Sequence, residues 1–225
     1  MQFLALESST DAGSVALWRD GVLSEHHCPP GQPSSATLLP LAAALLAEAG
    51  TGFADLDAIA FAAGPGSFTG LRVACGVAQG LAAAHDLPVL PVGTLAAMAE
   101  AVGSPRVAVC LDARMNEVYF GLFEEGEPVS VIGVYPPAEV PLPEGDGWVA
   151  AGNALAAYPV LAERMNAVCT ALLPEVLPTA AAVASLAAPR LLRGEGLDAA
   201  DAVPVYVRDK VALTVAERLA QGGKA

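Results

Sequence analysis

Ala58-Ile59-Ala60-Phe61-Ala62-Ala63-Gly64-Pro65-Gly66-Ser67-Phe68-Thr69-Gly70 is an apolar run that feeds a glycine turn. It predicts a buried strand over 58–63, a sharp turn, and a helix over 68–84. A strand, a glycine-rich turn and a helix N-terminus are the general recipe for a phosphate site. The spacing excludes its two familiar forms. A P-loop needs two glycines five positions apart, then Lys and Ser or Thr. Here Gly70 is followed by Leu71-Arg72, and no lysine precedes Lys210. The dinucleotide fingerprint G-x-G-x-x-G also fails, because Gly64, Gly66 and Gly70 leave one residue too many. The next strand ends at Val92-Gly93, without the acid that binds a ribose.

Gly64, Pro65, Gly66 and Gly70 therefore read as turn-formers, and Ser67 or Thr69 as the helix cap. Within the helix, Gly70, Ala74, Gly76, Ala78, Gly80, Ala82, Ala83 and Ala84 leave it thin on several sides. Each glycine costs a helix up to ~1 kcal/mol relative to alanine. Close approach of another backbone, from this chain or a partner, is the expected compensation. On this reading, a large side chain at Ala74 or Ala78 weakens a partner complex if that face points outward.

Toward the N-terminus, strands are expected over 3–6, 15–18 and 22–27, with Asp20-Gly21 as a tight turn. A helix over 35–49 follows, with Ser34 or Ser35 as cap, Pro40 starting or kinking it, and Gly50 and Gly52 ending it. Past the glycine motif come a strand over 89–92 and a helix over 94–101. The pattern restarts at Gly103-Ser104-Pro105, with strands over 106–111, 118–123 and 129–134. Glu7 lies 14 positions before Gly21, and Asp112 lies 14 before Gly126. We read this as an internal duplication of a three-strand unit. Residues 136–201 are Pro- and Ala-rich, with a helix over 181–192, and a terminal helix is expected over 214–221. The expected organisation is two α/β lobes: 1–102 plus 203–225, and 103–202.

The 225 residues carry a net charge of −13, with the cations scattered along the chain. Gripping phosphates requires clustered Lys and Arg. The chain alone is therefore a poor binder of RNA, DNA or an anionic membrane. Its acidic surface either serves solubility or faces a more basic partner. Cys28, Cys75, Cys110 and Cys169 are too dispersed for a metal or disulfide framework, so free thiols in a reducing compartment are expected. No stretch reads as a signal or a membrane span, and a cytoplasmic location is the expectation.

Glu7-Ser8-Ser9-Thr10 reads either as an ordinary hairpin turn or as the acid-and-hydroxyl turn with which actin-like ATPases approach phosphates. His26 and His27 point to opposite faces of a strand and do not chelate one metal. Asp112, Arg114 and Glu117 cluster in a turn, as a local ion-pair network or as a partner-facing polar patch.

Together, Leu4-Ala5-Leu6-Glu7-Ser8-Ser9-Thr10, Gly64 to Arg72, Gly76-Val77-Ala78-Gln79-Gly80, Leu111-Asp112-Ala113-Arg114-Met115 with Glu117-Val118-Tyr119, and Pro204-Val205-Tyr206-Val207-Arg208 resemble the TsaB family. The resemblance implies an actin-like (ASKHA) α/β fold of two duplicated lobes, each with a mixed β-sheet flanked by helices. It implies a non-catalytic dimerisation subunit in the formation of threonylcarbamoyladenosine on tRNA. The partner is then TsaD, which transfers the threonylcarbamoyl group, with the ATPase TsaE joining them. A homodimer is expected when the chain is alone, and tRNA is contacted only indirectly. The implied interface comprises Ser35, Leu38, Leu39, Leu45, Phe68, Thr69, Leu71, Arg72, Cys75, Ala78 and Gln79. No catalytic residue, metal or cofactor is implied, a nucleotide being expected only at a subunit junction. Two departures bear on this. Ser34 and Ser35 stand where relatives carry His, and Glu7 stands for the usual Asp, which argues against nucleotide hydrolysis by this chain. The alternative is an independent ATP-binding small-molecule kinase of the same fold.

Overall fold

The computed structural model describes residues 1–208 of the chain. The expected helix over 214–221, and the part of the first lobe over 209–225, lie outside the described residues. β1 (Gln2–Glu7), β2 (Ser14–Arg19) and β3 (Val22–His27) form an antiparallel meander. α1 (Ser34–Glu48) carries the chain to β4 (Ala58–Gly64), which pairs parallel with β1. α2 (Phe68–His85) leads to β5 (Val89–Gly93), parallel to β4, and α3 (Thr94–Val102) follows. The first sheet has the order β3-β2-β1-β4-β5.

The second half repeats this plan. β6 (Arg106–Asp112) and β7 (Val118–Glu124) are antiparallel, and β8 (Glu127–Pro128) and β9 (Gly133–Tyr135) both pair with β7. β10 (Val149–Ala151) runs parallel to β6, and β11 (Ala171–Leu173) parallel to β10. α4 (Ala154–Ala157) and α5 (Pro159–Asn166) connect these strands, and α6 (Ala180–Leu192) follows. The second sheet is thus also three antiparallel strands followed by two parallel ones, in the same spatial order. The duplication read from two equal spacings extends over both sheets, and the fold is the actin-like one of two duplicated lobes. The strand expected over 129–134 is found only at its end, as β9, with the two-residue β8 lying just before the expected start. The Ser130 hydroxyl takes the Leu122 amide at 2.9 Å, where a continuous ladder would need a backbone carbonyl.

Strand alternation sorts the core into layers. Leu4, Leu6, Val15, Leu17, Ile59 and Phe61 pack beneath α1 and α2. Phe3, Ala5, Ala16, Ala58, Ala60 and Ala62 face the other way, onto α6. The small residues on that face let the alanines of α6 (Ala180, Ala182, Ala184, Ala187 and Ala188) settle closely on the sheet. On the second sheet, Val107, Val109 and Leu111 meet Leu95 and Met98 of α3, while α4 and α5 cover the outer face. The layers run helix, sheet, helix, sheet, helix, with α3 and α6 packed on each other in the middle.

The expected lobe boundaries need correction at both helices. α6 falls inside 103–202 but packs on β1, β2 and β4 of the first sheet, and α3 falls inside 1–102 but packs also on β6 and β7 of the second. Each inner sheet face needs apolar cover, and part of it comes from the other half. Boundaries drawn in chain order do not capture this exchange. Among the described residues, no helix is long and apolar enough to cross a membrane.

Candidate functional site

The glycine motif is shaped by the turn that follows β1. The Ser67 amide donates to the Ser9 carbonyl at 2.7 Å, and the Ser8 hydroxyl donates to the Gly70 carbonyl at 2.7 Å. A Cβ on Gly70 would run into the Ser8 carbonyl oxygen, and one on Gly66 into Ser9. Gly64 has φ +127°, and a Cβ there would meet the Val205 carbonyl oxygen. The three glycines therefore let the start of α2 lie directly on the β1–β2 turn. Ser67 is the helix cap, its Oγ accepting from the Gly70 amide. For α1 the expected serine cap is not found: the helix starts at Ser34, and Pro33 stands before it without a side-chain bond.

A cleft of about 720 Å³ opens between the two halves, walled by Ser9, Thr10, Ser67, Thr69, Asn153 and the segment Val205 to Arg208. Its charged lining is Asp11, Asp112, Arg114, Glu175 and Arg208. Both cations are engaged. Arg114 pairs with Asp11 at 2.8 Å, across the cleft, and with Asp112 at 3.4 Å. Arg208 pairs with Glu117 and donates to the Ala113 carbonyl at 3.0 Å. The cleft thus presents three carboxylates and two guanidiniums, each guanidinium already paired with a carboxylate. Among the described residues, no group of three or more His, Cys, Asp or Glu is placed to hold a metal ion.

The turn between β6 and β7 is organised from within. Arg114, Met115 and Asn116 are all left-handed, with φ of 58°, 56° and 58°. Asp112 Oδ1 accepts from the Arg114 amide at 2.9 Å and from the Tyr158 hydroxyl at 2.8 Å. The Asp112 amide donates to Asn153 Oδ1 at 2.9 Å. Burial, aided by the Asp112 bond, pushes the Tyr158 hydroxyl up to about 12. Asp112, Arg114 and Glu117 thus make the local ion-pair and hydrogen-bond network, in which Arg114 is the exposed member and Asp112 and Glu117 are bonded from within. Asn153 and Tyr158 are not legible in the sequence as members of this site, since no local pattern joins them to Asp112. Replacing Arg114 with Ala is expected to change unfolding free energy by less than about 1 kcal/mol in urea titrations, because exposed ion pairs are screened. A larger loss would show the pair to be structural.

The turn at Glu7 has a different character. Glu7 is fully buried, and its Oε1 accepts from both the amide and the hydroxyl of Ser9, the amide at 2.7 Å. Its Oε2 has no partner among the described residues. Burial is the largest influence and pushes this carboxyl up to about 8, against the Ser9 bonds and with help from the Glu25 carboxylate.

The interface residues implied by resemblance divide by burial. Leu38, Leu45, Cys75 and Ala78 belong to the core beneath the two helices, and Leu71 is buried against the cleft, so none of the five lies on the outer face. The Gln79 amide is half-buried and bonded to the Ala202 carbonyl at 2.9 Å. Ser35, Leu39, Phe68, Thr69 and Arg72 are exposed. Ala74 is buried with Ala78, so neither position reports on a partner. The outward face of the pair is instead Pro40, Ala43, Ala44 and Ala47 of α1 with Gly76, Gly80, Ala83 and Ala84 of α2. A Cβ on Gly76 or Gly80 would meet nothing within 4 Å. Leu71, Ala74, Cys75, Ala78 and Ala82 form the inner stripe and Gly76 and Gly80 fall off it, but alanines on both faces leave little signal for it in the sequence.

Comparisons with known proteins bear on this arrangement. The model of the family "TsaD: tRNA N6-adenosine threonylcarbamoyltransferase" matches residues 31–133. The chain is 35% identical to the tRNA threonylcarbamoyladenosine biosynthesis protein TsaB of Escherichia coli, over 94% of this chain and 96% of that protein. It is 34% identical to the protein of the same description in Haemophilus influenzae, over 94% of this chain and 95% of the other. Among solved structures, YeaZ from Pseudomonas aeruginosa superimposes with a TM-score of 0.83 at 41% identity, covering 91% of this chain and 99% of that one. An uncharacterized Pseudomonas aeruginosa protein with similarity to peptidase YeaZ gives 0.85 at 41% identity, covering 92% and 99%.

Proposed function

We propose that this chain, which belongs to the TsaB family, serves the biosynthesis of threonylcarbamoyladenosine in tRNA as a docking subunit without chemistry of its own. Its partner in this reading is TsaD, held through the outer face of α1 and α2. The observation that carries the reading is the open strip of Gly76, Gly80, Ala83 and Ala84 beside Leu39, Ala43, Ala44 and Ala47. Small residues on two adjacent helices allow another helix pair to approach at backbone distance. The TsaD family model covers residues 31–133, which include both helices. A TsaD chain is therefore expected to offer a matching pair, giving a four-helix contact. The same face would serve a homodimer in the absence of TsaD, and TsaE joins the assembled pair. The net charge of −13 supports leaving the tRNA contact to a more basic subunit. The paired cations of the cleft support a nucleotide held only at a subunit junction.

Gly76→Leu and Gly80→Leu test this directly. Both side chains would stand in open space, so each variant is expected to fold like the parent. Each is expected to weaken co-purification with TsaD by about tenfold or more, since one large side chain in a tight interface removes more than ~1.4 kcal/mol. Undiminished binding by both variants would refute the docking face. Loss of the gene should abolish the tRNA modification. Calorimetry with Mg-ATP addresses the kinase alternative: tight binding by the isolated chain would overturn the non-catalytic reading.

A further inference from the structure

Residues 202–208 touch both halves, and Val205 to Arg208 line the cleft between them. On the first half, the Ala202 carbonyl accepts from Gln79 Nε2 at 2.9 Å and from the Cys75 thiol at 3.4 Å. The Val205 amide donates to the Ala63 carbonyl at 2.7 Å, near the end of β4. The Tyr206 hydroxyl accepts from Arg72 Nε at 3.0 Å, and its ring lies 5.5 Å from that of Phe68. Two residues later the chain is on the second half. The Arg208 guanidinium donates to the Ala113 carbonyl at 3.0 Å and to the Glu117 carboxylate, with its centre 5.8 Å from the Tyr119 ring.

We propose that 202–208 is a strap that latches the two halves closed over the cleft, with Arg208 as its catch. The halves otherwise meet chiefly through α3 and α6, which pack on each other between the sheets. A packed helix pair is the usual place for one half to hinge or slide against the other. The strap lies across the cleft, where such a motion would have its largest amplitude. Among the described residues two ion pairs hold this side, and they differ in kind. The side chains of Arg114 and Asp11 are 72% and 91% exposed, so salt screens that pair. Those of Arg208 and Glu117 are 14% and 35% exposed, so their pair survives salt and is costly to break on one side. The seat of the strap is built into the first half: Gly64, with φ +127°, leaves room for the Val205 carbonyl that a Cβ would displace. The chain is then a rigid body with a preformed cleft, and opening requires release of Arg208. This inference stands apart from the partner assignment.

Nitroxide labels on Thr69→Cys and Glu175→Cys, which line the cleft from the two halves, would read the gap by pulsed electron spin resonance. Cys169→Ser removes the half-exposed native thiol; the other three cysteines are buried. Dilution with unlabelled protein restricts the readout to distances within one chain. The parent is expected to give one narrow distance, unchanged between low and high salt. Arg208→Ala and the shape-conserving Glu117→Gln are each expected to add a longer distance, while Asp11→Asn is not. Should Arg208→Ala fail to fold, Glu117→Gln carries the test alone. The parent distribution retained in every folded variant of the Arg208–Glu117 pair would overturn the latch, as would an equal opening by Asp11→Asn.

Discussion

Raising the pH from 4.5 to 8 is expected to cost the folded chain up to roughly 5 kcal/mol through Glu7 alone. In the unfolded chain this carboxyl titrates near its ordinary 4.5, whereas in the folded chain it titrates near 8. The folded state therefore keeps a proton that the unfolded state has lost. The stability linked to Glu7 is full below pH 4.5, declines through the interval, and is gone above pH 8. The cause is desolvation: a fully buried carboxylate loses water and gains only the Ser9 bonds, all on Oε1. Glu7→Gln keeps that acceptor and cannot ionise. Denaturant midpoints for the parent and the variant are expected to agree near pH 4.5 and to diverge toward pH 8, the variant being the more stable. Parallel curves for the two proteins would refute the assignment.

Gly70→Ala is expected to be the most damaging single methyl that can be added to the glycine motif. The new Cβ would collide with the Ser8 carbonyl oxygen, and the obstacle is backbone, which has no rotamer to retreat into. To accommodate it, the start of α2 must lift from the β1–β2 turn, which also breaks the Ser8 hydroxyl bond to Gly70. Overpacking of this kind costs about 3 kcal/mol or more. In a chain of this size that lowers the melting temperature by roughly 6–12 °C. Gly76→Ala in the same helix is the control. Its Cβ meets nothing, and relief of the glycine penalty should add up to ~1 kcal/mol. A Gly70→Ala melting point equal to that of the parent would show that the turns are not in the contact described.

Much of the fold is legible in the sequence because its signals are local. The strand alternation of Phe3 to Leu6, the Asp20-Gly21 turn and the apolar run into Gly64 are each set by residues a few positions apart. The two equal spacings announced the duplication, and motif spacing alone removed the P-loop and dinucleotide readings. The site was less legible. Helix α2 is rich in Ala and Gly, so much of its circumference shows little hydrophobic contrast. Which stripe is inside depends on where the sheet lies, and that placed Cys75 and Ala78 in the core and Gly76 and Gly80 outside. The exchange of α3 and α6 between the halves is likewise a matter of which sheet face lacks cover, not of any residue in either helix.

Sequence by itself thus determined the order of elements as far as β7, the duplication of the three-strand unit and the departure of the glycine motif from the two familiar nucleotide-loop spacings, but not β10, α4, α5 and β11, which are short and lie in the Pro- and Ala-rich stretch. Tertiary structure alone decided the surface and the cleft. Arg208 finds Glu117 from 91 positions away, and Tyr158 finds Asp112 from 46. Pairings at such separations leave no periodic trace in the chain. They arise only when packing brings the elements together, and that packing engages Asp112, Glu117 and Arg208 in bonds within the molecule.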